Sequence, residues 1–235
     1  MSKKKNIVLI PGLLCDSYLW HHQVEKLSDD YTIFIADVTQ SSHIEDLARD
    51  VLLNAPEVFA MVGLSMGGYV ALEIMRQAPE RVEKLVITNS SARLDTKQTR
   101  RRRQGLIAMV RGAKKFKGVT PKLLPLLIHE SRLKHSQFTQ PIMDMAERVG
   151  KEAFLNQQEA ILSRSDSVPS LSKINIPTLI VGGDEDQITP ADHSIEMGKY
   201  IPHSTLEIFD DCGHLAPLEY PEKFNSVLKG FLESE

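Results

Sequence analysis

The chain has 235 residues, 42% hydrophobic and 25% charged, which suits one domain or a core with an insertion. Its two cysteines, Cys15 and Cys212, cannot form a disulfide framework and lack the spacing of metal ligands. No apolar run approaches the length of a membrane span, and the net charge of −3 argues against a nucleic-acid partner.

The first residues of the chain have some features of a signal peptide. Lys3, Lys4 and Lys5 precede an apolar run, as in the charged region of such a peptide. Pro11 and Gly12 interrupt that run, however, and no small-residue cleavage site follows it. We therefore expect a cytoplasmic protein.

Short apolar segments alternate with amphipathic segments before residue 92 and again after residue 168. The apolar segments predict strands, and apolar residues spaced three or four apart predict helices. This alternation predicts an α/β fold, with a parallel sheet covered by helices on both faces. The predicted strands are residues 6–10, 31–36, 59–62, 84–88, 178–182 and 205–209, and the predicted helices are residues 17–27, 44–53, 69–75, 191–200 and 221–232.

Residues 92–168 differ from the rest of the chain in pattern and in charge. They contain no segment with the pattern of a strand. They carry 16 Lys and Arg residues and 7 Asp and Glu residues, whereas the rest of the chain has more acidic than basic residues. We predict that residues 92–168 form a helical cap inserted into a core made of residues 1–91 and 169–235. Its predicted helices are residues 96–111, 121–129, 140–149 and 151–163.

The most informative motif is Gly-Leu-Ser-Met-Gly-Gly, residues 63–68, between a predicted buried strand and a predicted helix. A serine placed there must turn sharply, and the flanking glycines remove side chains that would clash. This geometry exposes the hydroxyl above the sheet edge, beside the first amides of the helix. We predict that Ser65 is a nucleophile.

A serine hydroxyl needs a base to take its proton, and the base needs an acid to orient it. His214 follows the last predicted strand, where its loop reaches the same sheet edge as Ser65. Asp184, Glu185 and Asp186 lie in another strand-end loop, and three consecutive carboxylates cannot all be catalytic. The residue pattern alone leaves the choice of acid open.

A tetrahedral oxyanion needs two backbone donors. The N–H of Met66 follows the nucleophile and is the first predicted donor. The second is expected from the turn after the first strand, Pro-Gly-Leu-Leu, where we choose the N–H of Leu13.

Three segments together resemble the α/β-hydrolase family with a helical cap: residues 63–68, the loop 183–190 and the ending 212–221. The likeness spans essentially the whole chain, and the Pro-Gly-Leu-Leu-Cys-Asp segment is similar to that of a bacterial esterase-like subgroup. The resemblance implies that Asp186, and not Asp184, completes a triad with Ser65 and His214.

Two features depart from the family pattern. Pro11 stands where the family usually has a histidine before Gly12, so a histidine-supported oxyanion loop is absent. The chain also starts close to the third of the family's usual eight strands, so we expect about six strands.

These observations predict a serine hydrolase acting on a carboxylic ester or thioester of modest size, with no cofactor and no metal. One alternative is an esterase or thioesterase for acyl chains on an acidic carrier, similar to the pimeloyl-carrier methyl ester esterase, with the basic cap as docking surface. Another is a non-enzymatic ligand receptor of the same fold. The predicted substrate contacts are Leu14, Trp20 and Met109.

Overall fold

The computed structural model describes residues 4–234 and contains one sheet of six parallel strands in the order β2-β1-β3-β4-β5-β6. The predicted fold class and strand number are confirmed. Residues 1–3 and 235, which the prediction included in the core, lie outside the described residues. The strands are β1 (Lys5–Ile10), β2 (Tyr31–Ile35), β3 (Phe59–Leu64), β4 (Val82–Thr88), β5 (Thr178–Gly183) and β6 (Ser204–Phe209).

Helices follow the strands and cover both faces of the sheet. The bounds predicted for the helices of the core agree with the structure within a few residues. In chain order the helices are α1 (His21–Leu27), α2 (Ile44–Asn54), α3 (Met66–Gln77), α4 (Lys97–Gly112), α5 (Leu124–Leu127), α6 (Ser136–Ser163), α7 (Ala191–Tyr200), α8 (Ala216–Glu219) and α9 (Pro221–Glu233).

The central strands are buried on both faces, which explains their continuous apolar sequences. In β3 every residue is buried, and Met61 and Val62 belong to two different hydrophobic clusters. Met61 packs in the cluster that contains residues of α2, α3 and α7, whereas Val62 packs in the cluster that contains residues of α1 and α9. The alternation of side chains along a strand therefore divides one apolar run between two cores.

The strand order reverses direction between β1 and β3. From β1 the chain goes outward to β2, and it then returns to the other side of β1 as β3. Ligands of open parallel sheets bind outside the carboxyl ends of the strands at such a reversal. The turn after β1 and Ser65 after β3 both lie at this point.

The cap as predicted, residues 92–168, contains α4, α5 and α6 between β4 and β5; its boundaries stay a prediction. A helix was predicted on each side of Gly150, and α6 is indeed broken there, with a Gly150 φ of 82°. The helix predicted at residues 121–129 is wrong in length, because α5 has only four residues. Ile128 is extended and buried, and neighbouring backbone groups bond to the core, so tertiary contacts end the helix early.

The segment predicted as one helix at residues 17–27 has two parts. Ser17–Trp20 is a 3-10 helix whose start is capped by the Asp16 carboxylate, which accepts the Tyr18 N–H at 2.9 Å. The α-helix α1 follows it. Within residues 4–234, no helix combines the length and the apolar composition needed to cross a lipid bilayer.

Candidate active site

Ser65 lies at a strained turn between β3 and α3. Its φ of 54° and ψ of −114° belong to a region that non-glycine residues rarely adopt. Gly63 and Gly67 make the turn possible: a Cβ on Gly63 would lie 2.5 Å from the Gly67 carbonyl oxygen, and one on Gly67 only 2.1 Å from that of Ile10. The sequence thus imposes the sharp turn predicted for this motif.

The N–H groups predicted to hold an oxyanion have no partner among the described residues. Met66 is the first residue of α3, so its N–H has no acceptor within the helix. In the turn after β1, the Cys15 N–H bonds the Gly12 carbonyl at 3.1 Å, and Leu13 between them keeps its N–H available.

Gln157 of α6 stabilises this turn, a role that the sequence did not reveal. Leu14 has a φ of 59°, which an L-residue adopts only at a cost. The fully buried Gln157 accepts the Leu14 N–H at 3.0 Å and donates to the Val38 carbonyl at 3.3 Å. The cap helix therefore fixes the conformation of the turn that carries the Leu13 N–H.

His214 and Asp186 form a buried hydrogen-bonded pair. The His214 Nδ1 and Asp186 Oδ2 atoms are 2.8 Å apart, and both residues are less than 5% exposed. The same carboxylate accepts the Thr189 hydroxyl and the backbone N–H groups of Ile188 and Thr189, each within 2.9 Å. An ionised carboxylate so arranged fixes the imidazole ring and favours a proton on Nδ1.

Opposing effects set the ionisation of Asp186. Burial alone would raise its pKa, but the charge and hydrogen bond of His214 act against it. Together with the hydrogen bonds from Thr189 and Asn89, these effects of His214 outweigh the effect of burial and lower the pKa of Asp186 from 3.8 to about 2. Asp186 is thus charged at any pH near neutrality.

Asn89 is a second residue that the sequence did not reveal. It is fully buried after β4 with a φ of 45°, a conformation that asparagine tolerates better than most residues. Its amide donates to Asp186 Oδ2 at 3.1 Å and to the Gly213 carbonyl at 3.0 Å. Asn89 thereby joins the loop of Asp186 to the loop of His214.

The other two carboxylates of the loop 183–190 do not contact His214. Asp184 and Glu185 are both exposed, and Asp184 accepts the Cys212 N–H at 3.2 Å, a bond between neighbouring turns. Of the three candidates, Asp186 alone contacts His214.

The cap also contacts the loop that carries His214. The His214 N–H donates to the carbonyl of Leu127 in α5 at 2.9 Å. Two residues further on, the His129 N–H donates to the buried carboxylate of Glu219 at 2.8 Å. Burial raises the pKa of Glu219, although Arg132 and the neighbouring N–H groups partly offset that effect.

Ser65 and His214 line one cavity of about 500 Å³ beneath the cap. The other lining residues are mostly apolar, so the cavity suits a hydrocarbon chain of modest length. Representative lining side chains are Leu64, Leu106, Val110, Phe116, Leu126 and Met145.

The residues predicted to contact substrate have different positions. Leu13, Leu14 and Met109 line the cavity, with Met109 63% exposed. Trp20 does not line it: its side chain is fully buried in the same hydrophobic cluster as Val62 and lies near Phe224, with ring centroids 6.4 Å apart. The prediction for Trp20 is therefore corrected to a packing role.

The four consecutive arginines of α4 do not act as one surface. Arg101 and Arg102 are exposed and form no ion pair with the described residues. Arg103 points inward, where it pairs with Asp95 at 2.9 Å and lines the cavity. Arg100 bonds the Leu162 carbonyl at 3.0 Å. Among residues 4–234, no three His, Cys, Asp or Glu side chains are grouped as metal ligands.

The sequence of this chain is similar to those of known proteins over most of its length. Residues 5–221 match a family model described as the alpha/beta hydrolase fold. A pimeloyl-[acyl-carrier protein] methyl ester esterase from Aliivibrio salmonicida is 24% identical over 258 residues, covering 98% of this chain and 93% of the relative. The 3-oxoadipate enol-lactonase 2 of Acinetobacter baylyi is also 24% identical, covering 92% and 84% of the two chains.

Solved structures are also similar over nearly the whole chain. A thermophilic esterase from Thermogutta terrifontis superimposes with a TM-score of 0.89 and is 25% identical, over 98% of this chain and 90% of that one.

Proposed function

Because the chain belongs to the alpha/beta hydrolase fold family, we propose that it is a serine hydrolase acting on a carboxylic ester or thioester. The observation that carries the proposal is the Asp186–His214 pair, which opens with the strained Ser65 onto one apolar cavity. The esterase and lactonase names of the relatives support cleavage of an ester bond.

In this mechanism the Ser65 hydroxyl attacks the acyl carbonyl, and His214 accepts its proton. Asp186 stays ionised and stabilises the imidazolium, since its pKa of about 2 prevents it from taking the proton. The N–H groups of Leu13 and Met66 hold the oxyanion. His214 then protonates the leaving alcohol or thiol, and a water molecule activated by His214 hydrolyses the acyl-enzyme.

A turnover assay tests this proposal. The wild type should hydrolyse 4-nitrophenyl esters of short to medium acyl chains, and Ser65→Ala should lose nearly all activity. Cys15→Ala is the matched control, because the Cys15 thiol also lines the cavity. Burial raises its pKa to about 12, so the thiol stays protonated and its removal should leave turnover unchanged. Retained turnover in Ser65→Ala would reject Ser65 as the nucleophile, whereas no turnover of esters or thioesters by the wild type would favour the receptor alternative.

A second candidate is an esterase or thioesterase for acyl chains bound to an acidic carrier. Exposed Arg101 and Arg102 favour it, since they belong to a cap with an excess of nine positive charges. The name of the Aliivibrio relative supports the same candidate. An acyl chain would enter the cavity while the carrier stays outside on the cap. A cytoplasmic location suits either candidate and stays a prediction.

A further inference from the structure

The wall of the cavity contains a polar group of side chains that the proposed mechanism does not use. Tyr69, Arg103 and Gln158 all line the cavity near the apolar residues described above. Tyr69 is one helical turn after Ser65 in α3, and its N–H contacts the Ser65 carbonyl at 3.3 Å. Ser65 and Tyr69 line the same cavity, so the Tyr69 side chain lies near the place where the scissile carbonyl of a substrate would bind.

Two of these side chains offer donors without a partner among the described residues. Gln158 is 2% exposed, and its carbonyl oxygen accepts from Arg103, which can only donate. The amide nitrogen of Gln158 is thereby fixed as the free donor of that side chain. The hydroxyl of Tyr69 also has no partner there, and burial raises its pKa, so it keeps its proton at neutral pH.

The surroundings of these donors are positively charged. Asp95 pairs with both Arg103 at 2.9 Å and Arg164 at 2.8 Å, so one carboxylate faces two guanidinium groups. Arg164 also lies over the ring of Tyr69, 4.3 Å from its centroid. Two cations against one anion leave one unbalanced positive charge beside the free donors.

The rest of the cavity wall adds to this charge. Its other charged lining residues are Lys115 and Lys117, and no Asp or Glu among the described residues lines the cavity. Asp186 is near enough to act on Tyr69, but it does not line the cavity, and five hydrogen-bond donors already surround its carboxylate. A neutral apolar chain would leave both donors and the positive charge unsatisfied, which is costly in a buried site.

We propose that Tyr69, Gln158 and Arg103 form a subsite for a carboxylate that the substrate carries a few bonds from its scissile carbonyl. This subsite rests on the proposed function and narrows it to esters or thioesters with an anionic acyl or alcohol part. Tyr69 and Gln158 donate to the carboxylate oxygens, and Arg103 supplies the charge. The position one helical turn from Ser65 limits the separation of the two groups to a short chain.

Two substrates with the same number of carbon atoms test the subsite. For the wild type, kcat/KM should be higher for the 4-nitrophenyl half-ester of glutaric acid than for 4-nitrophenyl pentanoate. Tyr69→Phe keeps the ring beneath Arg164 and removes only the hydroxyl, so it should lower this ratio about tenfold, as loss of a hydrogen bond to a charged group does. Tyr200→Phe is the matched control, because Tyr200 is exposed on α7 and should leave the ratio unchanged.

Gln158→Met is the second variant, so the test does not depend on the folding of Tyr69→Phe. It should also lower the ratio, and its melting temperature reports whether it is folded. A ratio near one in the wild type, or a ratio unchanged in both folded variants, would overturn the subsite.

A binding measurement separates failure of the subsite from failure of the proposed function. Monomethyl glutarate should raise the melting temperature of Ser65→Ala, and the shift should shrink when Tyr69→Phe is added. If neither ester is turned over but this shift occurs, the subsite stands and the hydrolase proposal fails. If the esters are hydrolysed without any shift or preference, the hydrolase stands and the subsite fails.

Discussion

Asp186 illustrates how hydrogen bonds stabilise a buried, ionised carboxylate in this protein. Its side chain is buried, with 3% of the residue exposed, yet five groups donate to the carboxylate: the His214 ring, the Asn89 amide, the Thr189 hydroxyl, and the N–H groups of Ile188 and Thr189. Hydrogen bonds to a charged group stabilise more than those between neutral groups. The favourable contacts therefore exceed the cost of burial, and the pKa falls instead of rising.

The first residue-scale prediction separates the two candidate acids. Asp186→Asn should lower kcat by about 10³- to 10⁴-fold, because an amide leaves the imidazole in the wrong tautomer. Asp184→Asn should lower kcat less than about tenfold, since Asp184 is exposed and bonds only a turn N–H. Steady-state kinetics on a 4-nitrophenyl ester measures both, and the opposite ranking would reject Asp186 as the acid.

The lowered pKa of Asp186 also predicts that the free energy of unfolding depends on pH. Its folded pKa of about 2 lies below the ordinary value of 3.8, so its contribution is complete above pH 4 and is lost as the pH falls toward 2. The total loss is about 2 kcal/mol, roughly half of it by pH 3. Urea unfolding of the wild type and Asp186→Asn between pH 5 and 3 measures this. If the free energy of unfolding changed equally with pH in the two proteins, the prediction would be wrong.

The sequence predicted the residues that belong to local patterns and missed those whose partners are distant. Ser65 belongs to a short motif whose backbone geometry is local, whereas the residue pattern left three candidate acids open and only the family resemblance selected Asp186. Gln157 acts on Leu14, 143 residues away, and Asn89 acts on Asp186, 97 residues away. No periodicity or spacing marks such residues, because only the folded chain brings the partners together.

At the scale of elements, α6 connects the cap with the segment that follows β1, and it does so on both sides of Gly150. After Gly150 it supplies Gln157, which holds the turn of Leu13 and Leu14. Before Gly150 it supplies Arg148, whose guanidinium pairs with Asp16 at 2.8 Å. Because the two halves of the helix contact Leu14 and Asp16 respectively, the backbone conformation at Gly150 determines whether both contacts can form.

Gly150 should therefore be required for its backbone conformation. A Cβ there would meet no atom within 4 Å, but φ 82° with ψ 179° is open essentially to glycine alone. Gly150→Ala should lower the free energy of unfolding by about 1–3 kcal/mol. Gly105→Ala is the control: it lies inside α4 with equal space, and it should stabilise by about 0.5–1 kcal/mol. Urea unfolding of both variants checks this, and equal effects would exclude a special role for Gly150.

At the scale of the whole molecule, the cap is positively charged and the rest of the chain is negatively charged. Within the cap, some arginines form ion pairs with other cap residues and others are exposed to solvent. Arg103 is paired inside, whereas Arg101 and Arg102 are exposed. Only the exposed pair is suited to attract an acidic partner over a distance.

This separation gives a prediction for the carrier alternative. Replacing Arg101 and Arg102 with Gln should lower kcat/KM for an acyl-carrier thioester about three- to tenfold at low salt, because long-range attraction speeds encounter. Added salt should reduce the difference as the Debye length falls to about 10 Å at 0.1 M. Arg49→Gln, an exposed arginine on α2, is the matched control. No difference between the two variants would reject the cap as a docking surface.

The order of strands and helices was predictable because it follows from hydrophobic periodicity over most of the chain. The one long error, the helix at residues 121–129, occurred in the cap. There the Leu127 carbonyl and the His129 N–H bond to the core, and those contacts override the local helical preference. The cavity was not predictable, since its wall combines residues from α3, α4 and α6 with loops on both sides of the cap.

The central claim is that Ser65 is the nucleophile of a serine hydrolase. Incubation with a fluorophosphonate, followed by digestion and mass spectrometry of the peptides, tests it most directly. The account predicts one covalent adduct on Ser65, none in Ser65→Ala, and much slower labelling in His214→Ala. An adduct on another residue, or equal labelling of the wild type and Ser65→Ala, would contradict it.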